Sequence, residues 1–396
     1  MLCLIAVGRT TTVRAQERLC DVSFEDCRTP LINLIRAETI GIDVAWWFME
    51  DSRYSTEIIK RWQAGVPVRI IIDPRANASY PINKSILDAV QAAGIPMRYK
   101  LKDGILHWKM MLFDGQGKVE FSSANYSPNA FTPEVPYSNY TDEVIYFTDD
   151  VSVVNSFRTK YDELWTNTSA YGNYANIAAG TTLLRRYATF AINSELNFPP
   201  GTSFADRAIS AYRAEQQQID VIMYRITDER HTNEMIAAVG RGVPVRLIHE
   251  PGESYRNTAY SWDSYNVDRM YMAGVQIKMR KHLGQTHEKL MLLRSQGMAV
   301  HASSNWSVSS ANSQQEHNYF TKKGWFYQWY VNHFERKWNS AAEFEVFVPL
   351  PPETPVLMSP ASGALGVNAA SGVQLKWEGD IGRTSMTSTW GRIRRC

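Results

Sequence analysis

Apolar positions along the chain change period in a fixed order, and that order is written twice. In PLINLIRAE (30–38) apolar residues recur three and four apart, which predicts an amphipathic helix. IGIDVAWWF (40–48) then runs apolar and β-branched, as a buried strand does. STEIIKRWQAG (55–65) returns to helical spacing and stops at Gly65, and VPVRIIID (66–73) predicts another buried strand. A third helix in SILDAVQAAG (85–94) leads to a short strand in IPMRYK (95–100). Buried strands alternating with helices predict an α/β sandwich.

The second half repeats the order in register. IRAETIGIDVAWWF (35–48) aligns with YRAEQQQIDVIMYR (212–225), and AGVPVRIIID (64–73) with RGVPVRLIHE (241–250). GIPMR (94–98) meets GVQIK (274–278), and EVIYFT (143–148) meets EHNYFT (316–321). A unit this long is a duplicated half-protein, not a solenoid repeat. The pattern predicts two pseudo-symmetric α/β sandwich halves, over 20–166 and 195–345, packed face to face. Residues 167–194 read as a connector and the first strand of the second half, and 1–19 as a leader. From 346 to 396 the chain is Pro/Gly/Ser-rich and reads as a linker with the first strand of a truncated β-sandwich module.

Candidate chemistry sits at one place in each repeat. HWKMMLFD (107–114) returns as HEKLMLLR (287–294). Strand periodicity puts His107 and Lys109 on one face, and likewise His287 and Lys289. At one shared spacing downstream lie Ser123 and Asn125 in SSAN, Ser303 and Asn305 in ASSN. Farther on each half supplies a carboxylate, Glu143 or Glu316. His231, His249, His282 and His333 read as satisfied core or surface histidines. His301 and His317, beside the motif but without a repeat counterpart, read as support at most, and Trp46 and Trp47 divide between core packing and the lip of a cleft.

The pattern H-x-K-x4-D followed by G/S-S-x-N, present twice, resembles the phospholipase D superfamily over about residues 24–342. The first copy carries His107, Lys109 and Asp114; Ser122 stands where the family usually has glycine, after a spacer one residue longer. The second keeps His287 and Lys289 but has Arg294 for the aspartate, which in the family supports structure away from the phosphate. The resemblance implies a phosphodiesterase working through a covalent phosphohistidine, with His107 as nucleophile and His287 as acid. Lys109, Lys289, Asn125 and Asn305 would hold the equatorial oxygens, and the carboxylates would pair across the halves, Glu316 with His107 and Glu143 with His287. Neither cofactor nor metal is expected, because the lysines already supply positive charge. A phospholipid head group is the expected substrate, met by a monomer in peripheral contact with a membrane. A nuclease acting on DNA or RNA is the alternative, and a catalytically weak phosphate-ester-binding protein the third reading.

Composition narrows the setting. With 44% apolar and 21% charged residues the chain is neither disordered nor fibrous. A net charge of +2 neither requires nor excludes a nucleic-acid partner. Of Cys3, Cys20, Cys27 and Cys396, none forms a C-x-x-C pair, so no structural zinc is expected. Cys20 and Cys27 would close a short disulfide loop in an oxidising compartment, with Cα atoms roughly 4.4–6.8 Å apart. The opening MLCLIAVGRTTTVRAQ reads either as a degraded or mis-started secretory signal or as a plain tail. A secreted or periplasmic location is expected on that basis, with the cytoplasm as alternative, and no apolar run is long enough to span a membrane.

Overall fold

A computed structural model describes residues 17–133, 139–350, 356–359, 373–378 and 386–390. The expected leader (except its last three residues), Cys3 and Cys396 lie outside the described residues. Among those described, one compact unit takes the chain up to Pro200 together with Ser313–Phe320, and a second takes Gly201–Asn312 with the chain from Thr321 onward.

The first unit contains β1 (Arg18–Asp21), α1 (Arg28–Ala37), β2 (Ile42–Trp46), α2 (Ser52–Gln63), β3 (Val68–Ile72), α3 (Pro81–Ala92) and β4 (Met97–Lys100). β5 (Lys109–Phe113), β6 (Lys118–Ser122), β7 (Thr141–Asp142), β8 (Val144–Thr148), α4 (Val151–Thr166), β9 (Tyr171–Ala175) and β10 (Leu196–Asn197) follow. Its sheet runs β1-β8-β6-β5-β2-β3-β4-β9. β2, β3 and β5 are buried along their whole length, which is why their sequences are continuous apolar runs. α2 starts where Asp51 accepts the Arg53 amide N–H and ends at Gly65, whose φ of +88° only glycine adopts freely.

The second unit repeats this plan: α5 (Phe204–Ala214), β11 (Ile219–Met223), α6 (Glu229–Gly240), β12 (Val245–His249), α7 (Ser261–Met272) and β13 (Gln276–Arg280). Then come β14 (Gln285–Thr286), β15 (Lys289–Leu293), β16 (Met298–Ala302), α8 (Val308–Asn312), α9 (Gly324–Asn339) and β18 (Phe344–Val346); β17 (Asn318–Thr321), between α8 and α9 in the chain, falls mostly in the first unit. Its strands run β16-β15-β11-β12-β13-β18. The duplication is therefore structural. In one unit β2, β3 and β4 are parallel with β5 antiparallel to β2; in the other β11, β12 and β13 are parallel with β15 antiparallel to β11.

Three expectations need correction. The strand within 167–194 is β9, and it pairs with β4 as an edge of the first sheet instead of opening the second half. Ser313–Phe320 groups with the first unit, because Gln315 O accepts the His107 N–H and Gln315 N–H donates to Ile105 O. The C-terminal module has three strands where one was expected: β19 (Val356–Ser359), β20 (Val373–Glu378) and β21 (Met386–Trp390), all antiparallel. MTSTW, with two threonines and a terminal tryptophan, carries the β propensity that its polarity conceals.

Candidate active site

Register places both motifs at equivalent points. Lys109 pairs with Trp46 at the C-terminal end of β2, and Lys289 pairs with Met223 at the C-terminal end of β11. Each histidine enters just before its strand, and a carboxylate fixes the residue ahead of it. Asp73, following β3, accepts the Leu106 N–H at 3.0 Å, and Glu250, following β12, accepts the Thr286 N–H at 2.7 Å. Arg280 holds Glu250 from 3.0 Å. Glu250 is buried, which favours its neutral form, but Arg280 and the backbone donors outweigh this and keep it below the usual glutamate range. Asp73 and Glu250 align in the repeated GVPVR strands, the signal by which the sequence could have revealed them.

In the first unit His107 Nδ1 lies 2.9 Å from both carboxylate oxygens of Glu316. A carboxylate only accepts, so Nδ1 carries the proton. In the neutral tautomer this leaves the Nε2 lone pair free of its proton. Trp108 Nε1 donates to Glu316 O at 2.9 Å, and His317 Nε2 accepts the Lys109 N–H at 3.4 Å. Lys109 is buried, with Nζ 2.8 Å from His107 O. The Ser123 hydroxyl donates to the buried Glu143 carboxylate.

In the second unit Lys289 Nζ lies 3.0 Å from His287 Nδ1, and Ser303 is buried. The Tyr224 ring packs 4.5 Å from the His287 ring and 5.1 Å from Lys289 Nζ. Asn125 Oδ1 and Asn305 Oδ1 are both buried without a hydrogen-bond partner among the described residues. Amide oxygen and nitrogen are interchangeable in such assignments, so each asparagine has one amide atom left for another group.

The sequence profile of the family described as "Cardiolipin synthase, PLD-like domain" matches residues 31–165 and 209–338, well over half of the chain. The chain belongs to the phospholipase D superfamily. No curated protein matches it in sequence. Among solved structures, phosphatidylserine synthase from Haemophilus influenzae Rd KW20 is similar at a TM-score of 0.62 and 14% identity, over 84% of this chain and 87% of that one. Polyphosphate kinase from Porphyromonas gingivalis is similar at 0.58 and 12%, over 84% of this chain; the matched part is 48% of the kinase. At these identities the likeness is one of fold.

Within this phospholipase D fold, the departure at Arg294 has a structural cause. Asp114 pairs with Arg158 at 2.6 Å. Arg294 instead joins Arg246 between two carboxylates: its Nε is 2.6 Å from Asp220, and its Nη2 is 2.9 Å from Glu335. In the first unit the matching carboxylates, Asp43 and Asp162, are held by Arg69, and the second cation comes from the connector as Arg186, 2.9 Å from Asp43. Arg294 supplies from the strand what Arg186 supplies from the connector. At about 3.3 Å per residue it stands about 16 Å along the chain from Lys289.

The remaining histidines each make a local contact, although Nε2 of His231 is buried with no hydrogen-bond partner among the described residues. His231 stacks on Trp306 at 4.7 Å, and burial pushes its pKa down to about 3. His282 Nδ1 accepts the Gly284 N–H, His333 lies 2.9 Å from Glu288, and His301 lies 2.7 Å from the Tyr330 hydroxyl. Trp46 proves to be core, with Nε1 donating to Asn83, while Trp47 is half-buried. Among the described residues no helix is long and apolar enough to cross a membrane, and no group of three or more His, Cys, Asp or Glu side chains is arranged to hold a metal.

Proposed function

We propose that this chain hydrolyses the head-group ester of a phospholipid, with the two His-Lys half-sites acting on one phosphate. His107 Nε2 attacks phosphorus, and the bond to the head-group oxygen breaks as His287 gives that oxygen its proton. A phosphohistidine and a free alcohol result. His287 then takes a proton from water, the water oxygen attacks phosphorus, and the bond to His107 breaks to release the phosphomonoester. Splitting one displacement into two lowers each barrier. Lys109, Lys289, Asn125 and Asn305 neutralise the equatorial oxygens. Ser123 and Ser303 support the two asparagine turns, and Glu143 serves His287 as Glu316 serves His107.

One observation carries the reading: Glu316 grips Nδ1 of His107 through both oxygens, which directs the reactive lone pair to Nε2. The family description names a cardiolipin synthase, which supports a lipid over a nucleic acid. The Cys20–Cys27 disulfide supports an exported protein, secreted or periplasmic. Phosphatidylcholine vesicles and single-stranded DNA, assayed side by side in EDTA, test the proposal. Alcohol release from lipid with DNA left intact is the expected result. Cleavage of DNA alone, or dependence on added metal, overturns it.

A further inference from the structure

The two repeats differ just beyond the strand ends that pair with Lys109 and Lys289. After β2 the chain continues with Trp47 and Phe48, and Phe48 stacks on Tyr80 at 3.6 Å with planes 14° apart. After β11 the same positions are Tyr224 and Arg225, and the Arg225 guanidinium carbon lies 3.5 Å from the centre of the Tyr260 ring. Tyr80 and Tyr260 stand in the same place, each immediately before the third helix of its repeat. Just beyond the strand end that pairs with Lys109 one repeat therefore has an aromatic stack in which Phe48 is buried, and just beyond the strand end that pairs with Lys289 the other has a cation on an aromatic base.

That cation is unlike its neighbours. Arg230, Arg246, Arg280 and Arg294 each pair with a carboxylate at 3.0 Å or less. Arg225 has no carboxylate partner among the described residues. Its Nη2 makes two long contacts, 3.3 Å to the Tyr224 hydroxyl and 3.4 Å to Glu253 O, and its buried Nε has no partner. A half-buried guanidinium held flat against a ring keeps its planar fork ready for a carboxylate or phosphate. The Tyr224 ring links it to the chemistry: the guanidinium carbon lies 4.9 Å and the His287 imidazole 4.5 Å from that ring's centre.

We propose that Arg225 selects phospholipids whose leaving head group carries a second anionic group, a carboxylate or phosphate, which the guanidinium binds while His287 protonates the departing oxygen. The inference rests on the head-group hydrolysis proposed above. A nucleic acid continues as a polyanion on both sides of its scissile phosphate, whereas one cation beside one His-Lys pair fits a leaving group with a single anionic end. The lipid is favoured for that reason.

The test uses short-chain dihexanoyl lipids as monomers in solution, so that surface charge plays no part. Phosphatidylserine supplies a carboxylate, a short-chain cardiolipin a second phosphate, and phosphatidylcholine a cation. The full chain and its R225F and R225Q variants are compared. The expected result is a kcat/KM about tenfold or more higher for one or both anionic heads, as a charge-assisted contact gives. R225F and R225Q should erase that preference through KM and leave phosphatidylcholine turnover unchanged, which also shows the variants folded. The arm that loses most tells carboxylate from phosphate. Equal losses on all three lipids, no loss, or a wild-type preference for choline overturns the role of Arg225 and leaves hydrolysis standing. Turnover of DNA with no lipid hydrolysed overturns both.

Discussion

His107 Nδ1 lies 2.9 Å from each carboxylate oxygen of Glu316, a residue that the sequence alignment places in the other repeat. The exchange is possible because Ser313–Phe320 runs with the first unit, where Gln315 O also receives the His107 N–H. In the proposed mechanism Glu316 fixes the tautomer and offsets the positive charge that an attacking imidazole acquires. Changing Glu316 to Gln keeps the shape and removes the charge, and should lower kcat by about 10²-fold with KM little changed. His107→Ala and His287→Ala should cost more, up to about 10⁴-fold. Stopped-flow burst amplitudes show which half-reaction slows. A Glu316→Gln enzyme as fast as wild type would dismiss the carboxylate from the mechanism.

Asp73 and Glu250 hold the backbone one residue ahead of His107 and His287. Asp73→Asn and Glu250→Gln keep the size but weaken the grip, so each should move its histidine and cost on the order of 10-fold to 10²-fold in kcat. Substrate binding at low turnover, read in a His287→Ala background, should change far less. If KM alone rises, the two acids contribute to binding and not to placement.

Arg294→Asp would restore the family residue yet set a third carboxylate beside Asp220 and Glu335. Arg294 is 13% exposed, so its loss should cost about 3 kcal/mol of stability, as for a largely buried pair that loses one partner. Chemical denaturation measures this directly. Activity per folded molecule should stay near wild type, and a large gain would show instead that this half-site is damaged.

The Cys20–Cys27 bridge spans a Cα–Cα distance of 5.9 Å, inside the expected range, and ties β1 to the start of α1. Its loop is short, so Cys20→Ala with Cys27→Ala should lose on the order of 2–3 kcal/mol at most. Thiol titration of freshly prepared protein under denaturing conditions checks the bridge itself. Two more reactive thiols than an oxidised chain allows would remove the support for export.

Much of this architecture was legible because the repeat reports on itself. Lys109 and Lys289 occupy matching register positions, and the GVPVR strands fix the parallel core around them. What escaped the sequence was whatever depends on partners distant in the chain. Arg294 looks like a lost aspartate until Asp220 and Glu335 are seen on either side of it. Tyr224 is an ordinary strand-end tyrosine until its ring meets His287. Periodicity reports which face a residue occupies; it does not report which remote side chain completes a charge cluster.

His249 and Asp263 form the one charged version of a brace that is neutral in the other repeat. In the first unit Asn83 Oδ1 accepts the Met49 N–H and the Trp46 Nε1–H. In the second, Asp263 Oδ2 accepts the Ile226 N–H at 2.6 Å, and its Oδ1 lies 2.7 Å from His249 Nε2. His249 Nδ1 is 2.6 Å from Met223 O, so both ring nitrogens face acceptors and the ring is held as an imidazolium. Burial opposes that charge, but Asp263, the Met223 carbonyl and the nearby Glu250 outweigh it and raise the His249 pKa. A raised histidine pKa means that the folded chain keeps a proton the unfolded chain releases near pH 6.5. The stabilisation is therefore complete below about pH 6.5 and is lost as pH rises through the folded-state value. The loop carrying Tyr224 and Arg225 hangs from this brace, so a fall in Tm with rising pH should be accompanied by a rise in KM. The double variant His249→Ile with Asp263→Asn installs the first repeat's residues, Ile72 and Asn83, and should flatten this part of the Tm profile. An unchanged slope in the double variant would assign the pH dependence to another group.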